Sequence, residues 1–170
     1  ITMSKLERLE SFMMREQIIA FLEKINYTYQ LEEDTEEKTV IKLGVQLTVG
    51  ASTGLVIVHN RAGLVECYAT GPVNIPESHR LEVSKFIDIA NSISYLGHLQ
   101  LNHTSGNFRS KTYYRFQEEG MHELIIQDNL TEVFRLLDKF LPGIMNIVYG
   151  NRNADEAIDE LIYKVNPKNN

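Results

Sequence analysis

The chain has 170 residues, a net charge of −6 from 17 Lys+Arg against 23 Asp+Glu, and 43% hydrophobic residues. That is apolar mass for one real core and too much for wholesale disorder. The single Cys excludes an internal disulfide framework and a Cys-rich zinc site, and no apolar run approaches the ~18 residues of a membrane span.

The spacing predicts a first helix from about Ser4 to Ile25, with Ser4 and Glu7 as a capping box and a stripe of Leu6, Leu9, Met13, Met14, Ile18, Phe21, Leu22 and Ile25. Tyr27 to Leu31 is read as an optional edge strand. From Thr39 to Val49 the residues Ile41, Leu43, Val45, Leu47 and Val49 alternate with Lys42, Gly44, Gln46 and Thr48, the period of a half-buried strand. Gly50 to Gly54 reads as a turn, Leu55–Val58 as a central strand, Asn60 to Gly63 as a second turn and Leu64–Ala69 as another strand. Connections this short imply antiparallel hairpins. Gly71-Pro72 breaks the sheet, and Pro76 fits the first turn of a second helix running to about Leu96. Its inward residues are Val83, Phe86, Ile87, Ala90 and Ile93, with Gly97 as its cap.

A hairpin follows, with Leu99 and Leu101 alternating, Thr104 to Asn107 as the turn and Phe108–Phe116 returning. Asp128 opens a third helix whose spacing runs through Pro142-Gly143, so a kink and not a stop is expected there, with Gly150 as its end. Asn153 and Glu156 form a capping box for a final helix to about Tyr163. The fold class expected is α+β: an antiparallel β-sheet with helices packed on one face, in the order α-β-β-β-α-β-β-α-α. A single domain over residues 4–163 is expected, with 1–3 and 164–170 as flexible ends.

Charge is unevenly placed: residues 1–40 carry 5 Lys+Arg against 9 Asp+Glu, residues 41–120 carry 7 against 6, and residues 121–170 carry 5 against 8. The acidic run Leu31 to Glu37 reads as a solvated loop, with an acidic contact for a basic partner as the sharper alternative. An acidic chain repels phosphate backbones, which makes nucleic acid an unlikely partner. Ile1 to Ser4 show no basic leader before an apolar stretch, and the expected location is cytoplasmic.

Each search for chemistry ends in a structural reading. Gly50 to Gly54 lacks a following Lys and joins two strands, whereas a phosphate-cradling loop opens a helix. His98 and His103 lie an odd number of residues apart in an extended segment, and His79 with Glu82 has no further ligand nearby, so no metal is expected. Cys67 lies in a strand beside Glu66 and Tyr68, a place for packing. Glu32-Glu33 and Glu118-Glu119 read as solvated. No catalytic residue and no cofactor is assigned.

One surface stands out. Alternation puts Arg109, Lys111, Tyr113 and Arg115 on one strand face, with Gln100 and Asn102 on the paired strand. An antiparallel sheet with one wet face looks like this by default; the sharper readings are a face for a protein partner, or one that clamps phosphates and stacks a base. The third helix has apolar residues around much of its circumference, including Met145, Ile147 and Tyr149, so it needs two-sided burial or a partner.

A set of residues then resembles the YbjN-like family, described as candidate bacterial sensory transduction regulators and similar in fold to the class I chaperones of type III secretion. They are Arg80, Phe86 and Asn91, Asn107-Phe108, Tyr114-Arg115, Pro142, Gly150 and Ala157-Ile158. Where the family often has a second Asn after the one matching Asn91, this chain has Ser94 and Tyr95. The resemblance implies a homodimer without catalysis, a regulatory or chaperone-like module that binds another protein, and it carries over no active-site residue. The partner-binding candidates are Arg109, Lys111, Tyr113, Arg115, Met145 and Tyr149. The alternative function is a nucleic-acid or nucleotide binder using the basic strand face at 109–115.

Overall fold

The computed structural model describes the backbone of residues 5–115 and 123–165 and the side chains of 14–115 and 123–162. The Ser4–Glu7 box, Phe116, Glu118-Glu119 and the residues after Val165 lie outside what is described. The chain folds as α1 (Lys5–Lys24), β1 (Tyr29–Asp34), β2 (Lys38–Leu47), β3 (Gly50–His59), β4 (Leu64–Thr70), α2 (Arg80–Ser92), β5 (His98–Leu101), β6 (Phe108–Arg115), α3 (Glu123–Tyr149) and α4 (Ala154–Val165). The six strands form one sheet in the order β1-β2-β3-β4-β6-β5, every neighbouring pair antiparallel. The α+β class and the order of elements are as expected, and the optional edge strand is present as β1.

Period-two alternation decides which residues face the helices. Ile41, Leu43, Val45 and Leu47 of β2, Val56 and Val58 of β3, Val65, Cys67 and Ala69 of β4 and Leu99 of β5 are all buried. They form one core with α1, α2, α3 and α4. The two buried hydroxyls of β6 on this face are satisfied by α3 itself: Ser110 Oγ donates to the Val133 carbonyl, and Thr112 Oγ1 to that of Asn129 at 3.2 Å. Phe86 of α2 meets Phe140 of α3 edge-on, with ring centroids 6.1 Å apart. That approach requires Gly143, because a Cβ there would lie 2.4 Å from the Phe86 ring.

Several expectations need correction, each for a physical reason. Gly50 to Gly54 is strand and not turn: Leu47 pairs with Gly50, so Thr48-Val49 makes the hairpin. Asp138 of α3 holds that turn, accepting from Thr48 N and Oγ1 at 2.7 Å each. Gly54 serves packing, since a Cβ would meet the Phe134 ring at 2.9 Å. The acidic run is half strand, because Glu32 and Glu33 find Lys42 and Lys38 across the β1–β2 pair and Asp34 finds Arg15 of α1. Pro76 precedes a single 3-10 turn, Glu77–His79, before α2.

Helix α2 stops at Ser92 and not near Leu96, because Ser92 Oγ and Ser94 Oγ take the carbonyls of Ile89 and Ala90. Ile93 is consequently 43% exposed. Gly97 is no helix cap. It lets the chain enter β5 close to β6, 3.1 Å from the Lys111 carbonyl at its would-be Cβ. Helix α3 begins five residues before Asp128 and continues through Pro142. The Asn153–Glu156 box is present in both directions, Asn153 N to Glu156 Oε2 at 3.0 Å and Glu156 N to Asn153 Oδ1 at 2.9 Å.

Candidate functional site

The helices cover one face of the sheet and leave the other outward, and β6 sends Arg109, Lys111, Tyr113 and Arg115 to that outer face. The four residues do not form a free basic strip. Glu66, from the neighbouring strand β4, pairs with Lys111 and also meets His59 Nε2 at 2.8 Å. Burial would raise the Glu66 pKa, but hydrogen bonds from Lys111, His59 and Tyr68 outweigh it and bring it to about 2.

Tyr68 lies flat beneath two cations, with the Arg109 guanidinium 4.1 Å and the Lys111 ammonium 5.3 Å from its ring centroid. Arg109 is further fixed by its Nε, which donates to Gln100 Oε1 at 3.0 Å. Burial, with Lys111 and Arg109 close by, holds the His98 pKa below its ordinary value. Tyr113 is 60% exposed, and Arg115 is exposed at the strand's end.

Met145 and Tyr149 lie on α3, behind the opposite face of the sheet, so they do not join the β6 residues in one site. Met145 is half-buried against the core and Tyr149 is exposed. Most of the apolar circumference of α3 is taken up within the chain, between β4 and β6 on one side and α1, α2 and α4 on others, while Leu124, Ile125 and Tyr149 at its ends are exposed. Cys67 is fully packed, and burial pushes its thiol up to about 12.

No local spacing of residues announces the groove between α2 and β5. In an antiparallel pair the backbone groups of alternate residues point to the partner or away from it. Leu99 points away from β6, and the Asn91 carboxamide meets it there, Nδ2 donating to the Leu99 carbonyl at 3.0 Å and Oδ1 accepting from its N–H at 2.7 Å. The side chain thus bonds the edge as a peptide unit would. Arg80 braces the end of the same groove, donating to the carbonyls of Ile75, His103 and Thr104. Beyond Asn91 the groove opens into a cavity of about 570 Å³ whose walls include Ser84, Asp88, Leu101, Asn107 and Arg109.

Leu101, two residues after Leu99, directs its N–H and C=O into this space, and among the described residues nothing bonds them. Ser84 Oγ and His103 Nε2 are 2.7 Å apart, but no carboxylate orients that histidine among the described residues, so the pair lacks the third member a nucleophilic triad needs. Among the described residues no three His, Cys, Asp or Glu converge. A second cavity, about 240 Å³ and mainly apolar, lies between α1 and α3 and includes Phe21, Ile25, Tyr27 and Phe134.

No family model matches the chain, and no curated protein matches it. Among solved structures it is similar to YbjN of E. coli, named as a candidate transcription regulator, with 9% identity, a TM-score of 0.47, and coverage of 90% of this chain and 91% of that one. No helix among the described residues is long and apolar enough to cross a membrane.

Proposed function

We propose that the protein is a non-enzymatic, regulatory or chaperone-like module that binds an extended segment of another polypeptide in the α2–β5 groove. The observation that carries this reading is the pair of edge positions on β5. Leu99 is already hydrogen-bonded by a peptide-like carboxamide, while Leu101 faces a cavity large enough for a ligand with its backbone groups unmet. A strand edge beside a helix is a surface that extended peptides join through main-chain hydrogen bonds. The nucleic-acid alternative draws no support from the outer face, where Glu66 neutralises Lys111 and leaves no run of unpaired cations along the strand.

The test is capture of host polypeptides by the wild-type chain and by Leu101→Pro. Proline removes the edge N–H while remaining tolerable on an edge strand. A polypeptide bound by wild type and lost from a variant of near-normal melting temperature is the expected result. Equal capture by both overturns the groove, and no capture by either overturns the binding role. The reading also includes a homodimer, supported by exposed apolar residues such as Leu81 at 67% and Leu96 at 71%. Light scattering over a range of concentrations checks it, and a strict monomer at tens of micromolar removes it.

A further inference from the structure

The cations of the described chain are mostly matched to carboxylates. Arg15 has Asp34, Arg61 has Glu37, Arg135 has Glu132, Arg152 has Glu160 and Lys111 has Glu66. Arg109 departs from this pattern. It is half-buried, yet its polar partner is the neutral amide of Gln100, and no carboxylate reaches it among the described residues. The group is also held in place: Nε is fixed by Gln100, and the guanidinium sits over the Tyr68 ring at 4.1 Å. The two terminal nitrogens have no bonded partner among the described residues, and Arg109 is one of the residues lining the cavity into which Leu101 opens. A guanidinium fixed through Nε presents those two nitrogens as a fork, and the planar partner that matches a fork is a carboxylate.

We infer that the α2–β5 groove receives an α-carboxylate, with Arg109 holding the carboxylate and the Leu101 edge holding the adjoining amide. This rests on the reading of the groove as a polypeptide site and narrows it to a chain end. Charge in the cavity favours a monoanion over a phosphate. Asp88 of α2 lines the same cavity as Arg109 of β6, so the two charges offset each other there and a dianion would meet more repulsion from Asp88 than a monoanion. Asp88 has no bonded partner among the described residues and is placed to accept N–H groups of the incoming chain.

A polypeptide C-terminus and a free N-acylated amino acid offer the same chemistry. The test therefore uses the full ¹⁵N-labelled chain and three probes: a mixture of N-acetylated tetrapeptides with randomised side chains as free acids, the same mixture as C-terminal amides, and N-acetylalanine. The free acids are expected to shift the Leu101 amide and the Arg109 Nε resonances, with the amides about tenfold weaker. Arg109→Gln brings acids and amides to equal affinity, and Arg109→Lys, which keeps the charge and loses the fork, retains only part of the preference. A shift of both resonances by N-acetylalanine as strong as that by the tetrapeptide acids supports the carboxylate site with a small acid as its ligand. Equal shifts by acids and amides in the wild type overturn the carboxylate site and leave the strand-edge reading standing. No shift at Leu101 or Arg109 with any probe at millimolar concentration overturns both.

Discussion

The sheet has two edges, and they are protected in opposite ways. At β1 protection is electrostatic. The pairing with β2 slips by one residue between Leu31 and Glu33, and Glu32, Glu33 and Asp34 are matched to Lys42, Lys38 and Arg15. A bulged, charged strand is a poor template for a second chain. At β5 protection is by hydrogen bonding, and it is incomplete. Four residues, His98–Leu101, carry no carboxylate or Lys/Arg, and one carboxamide covers one of the two outward positions. The β5 edge is thus short, uncharged and half covered, and lacks the charges that blunt β1. On the function proposed above, the two edges divide the labour: one excludes unwanted pairing, the other admits a particular kind.

The sharpest way to break this comparison is Asn91→Leu. It orphans the Leu99 N–H and C=O beside a buried side chain, and each unmet group costs about 1–3 kcal/mol, so a loss of about 2–6 kcal/mol is expected in urea denaturation. A loss below about 0.5 kcal/mol would show that water replaces the carboxamide and that Asn91 is no edge cap.

Next in size is Glu66→Gln, which loosens Lys111 on the outer face beside β5. The Glu66 pKa lies near 2 in the folded chain against an ordinary 4.5. A depressed carboxylate adds stability that is complete at neutral pH, declines below about 4.5 and is gone once pH falls past about 2. Its contribution is on the order of 2 kcal/mol. Unfolding midpoints measured from pH 7 to 2 should fall less steeply for Glu66→Gln than for the wild type. Parallel curves would place the acid sensitivity elsewhere, with Asp34, whose pKa is lowered by its hydrogen bond from Arg15, as the next candidate.

The extent to which these features are legible in sequence follows from how local they are. Alternation at 39–47 and 108–115 names the two faces correctly because the strand period is two whatever the neighbours are, and it fails at Val49, which is exposed in the turn. The Asn153–Glu156 box is legible because both its bonds close within four residues. The partner of Lys111 is not, since Glu66 is 45 positions away and arrives only through the β4–β6 register. The family resemblance includes Asn91, but the bonds it makes to Leu99 depend on α2 stopping at Ser92 and β5 starting at His98. The Gly50 to Gly54 reading fails for the converse reason: glycine pairs signal turns locally, whereas Gly54 answers to the Phe134 ring. The groove at Leu101 combines all of these long-range facts, so no window of sequence contains it.

The smallest expected effect on stability separates the two edges most cleanly. Glu32 and Glu33 are about 40% exposed, and so are ion pairs worth at most ~1 kcal/mol each. Replacing both with Thr keeps β propensity and should move the unfolding midpoint little. What should change is association. Without those carboxylates, β1 presents a row of backbone groups beside an exposed Leu31, and sedimentation velocity should show species larger than the wild-type assembly that grow with concentration. Gln100→Thr on β5 is the matched control, altering an edge whose side chains carry no charge. If the β1 double variant stays as dispersed as that control, the bulge alone blunts the edge, and the charges of β1 serve the fold through Arg15, Lys38 and Lys42 without guarding it.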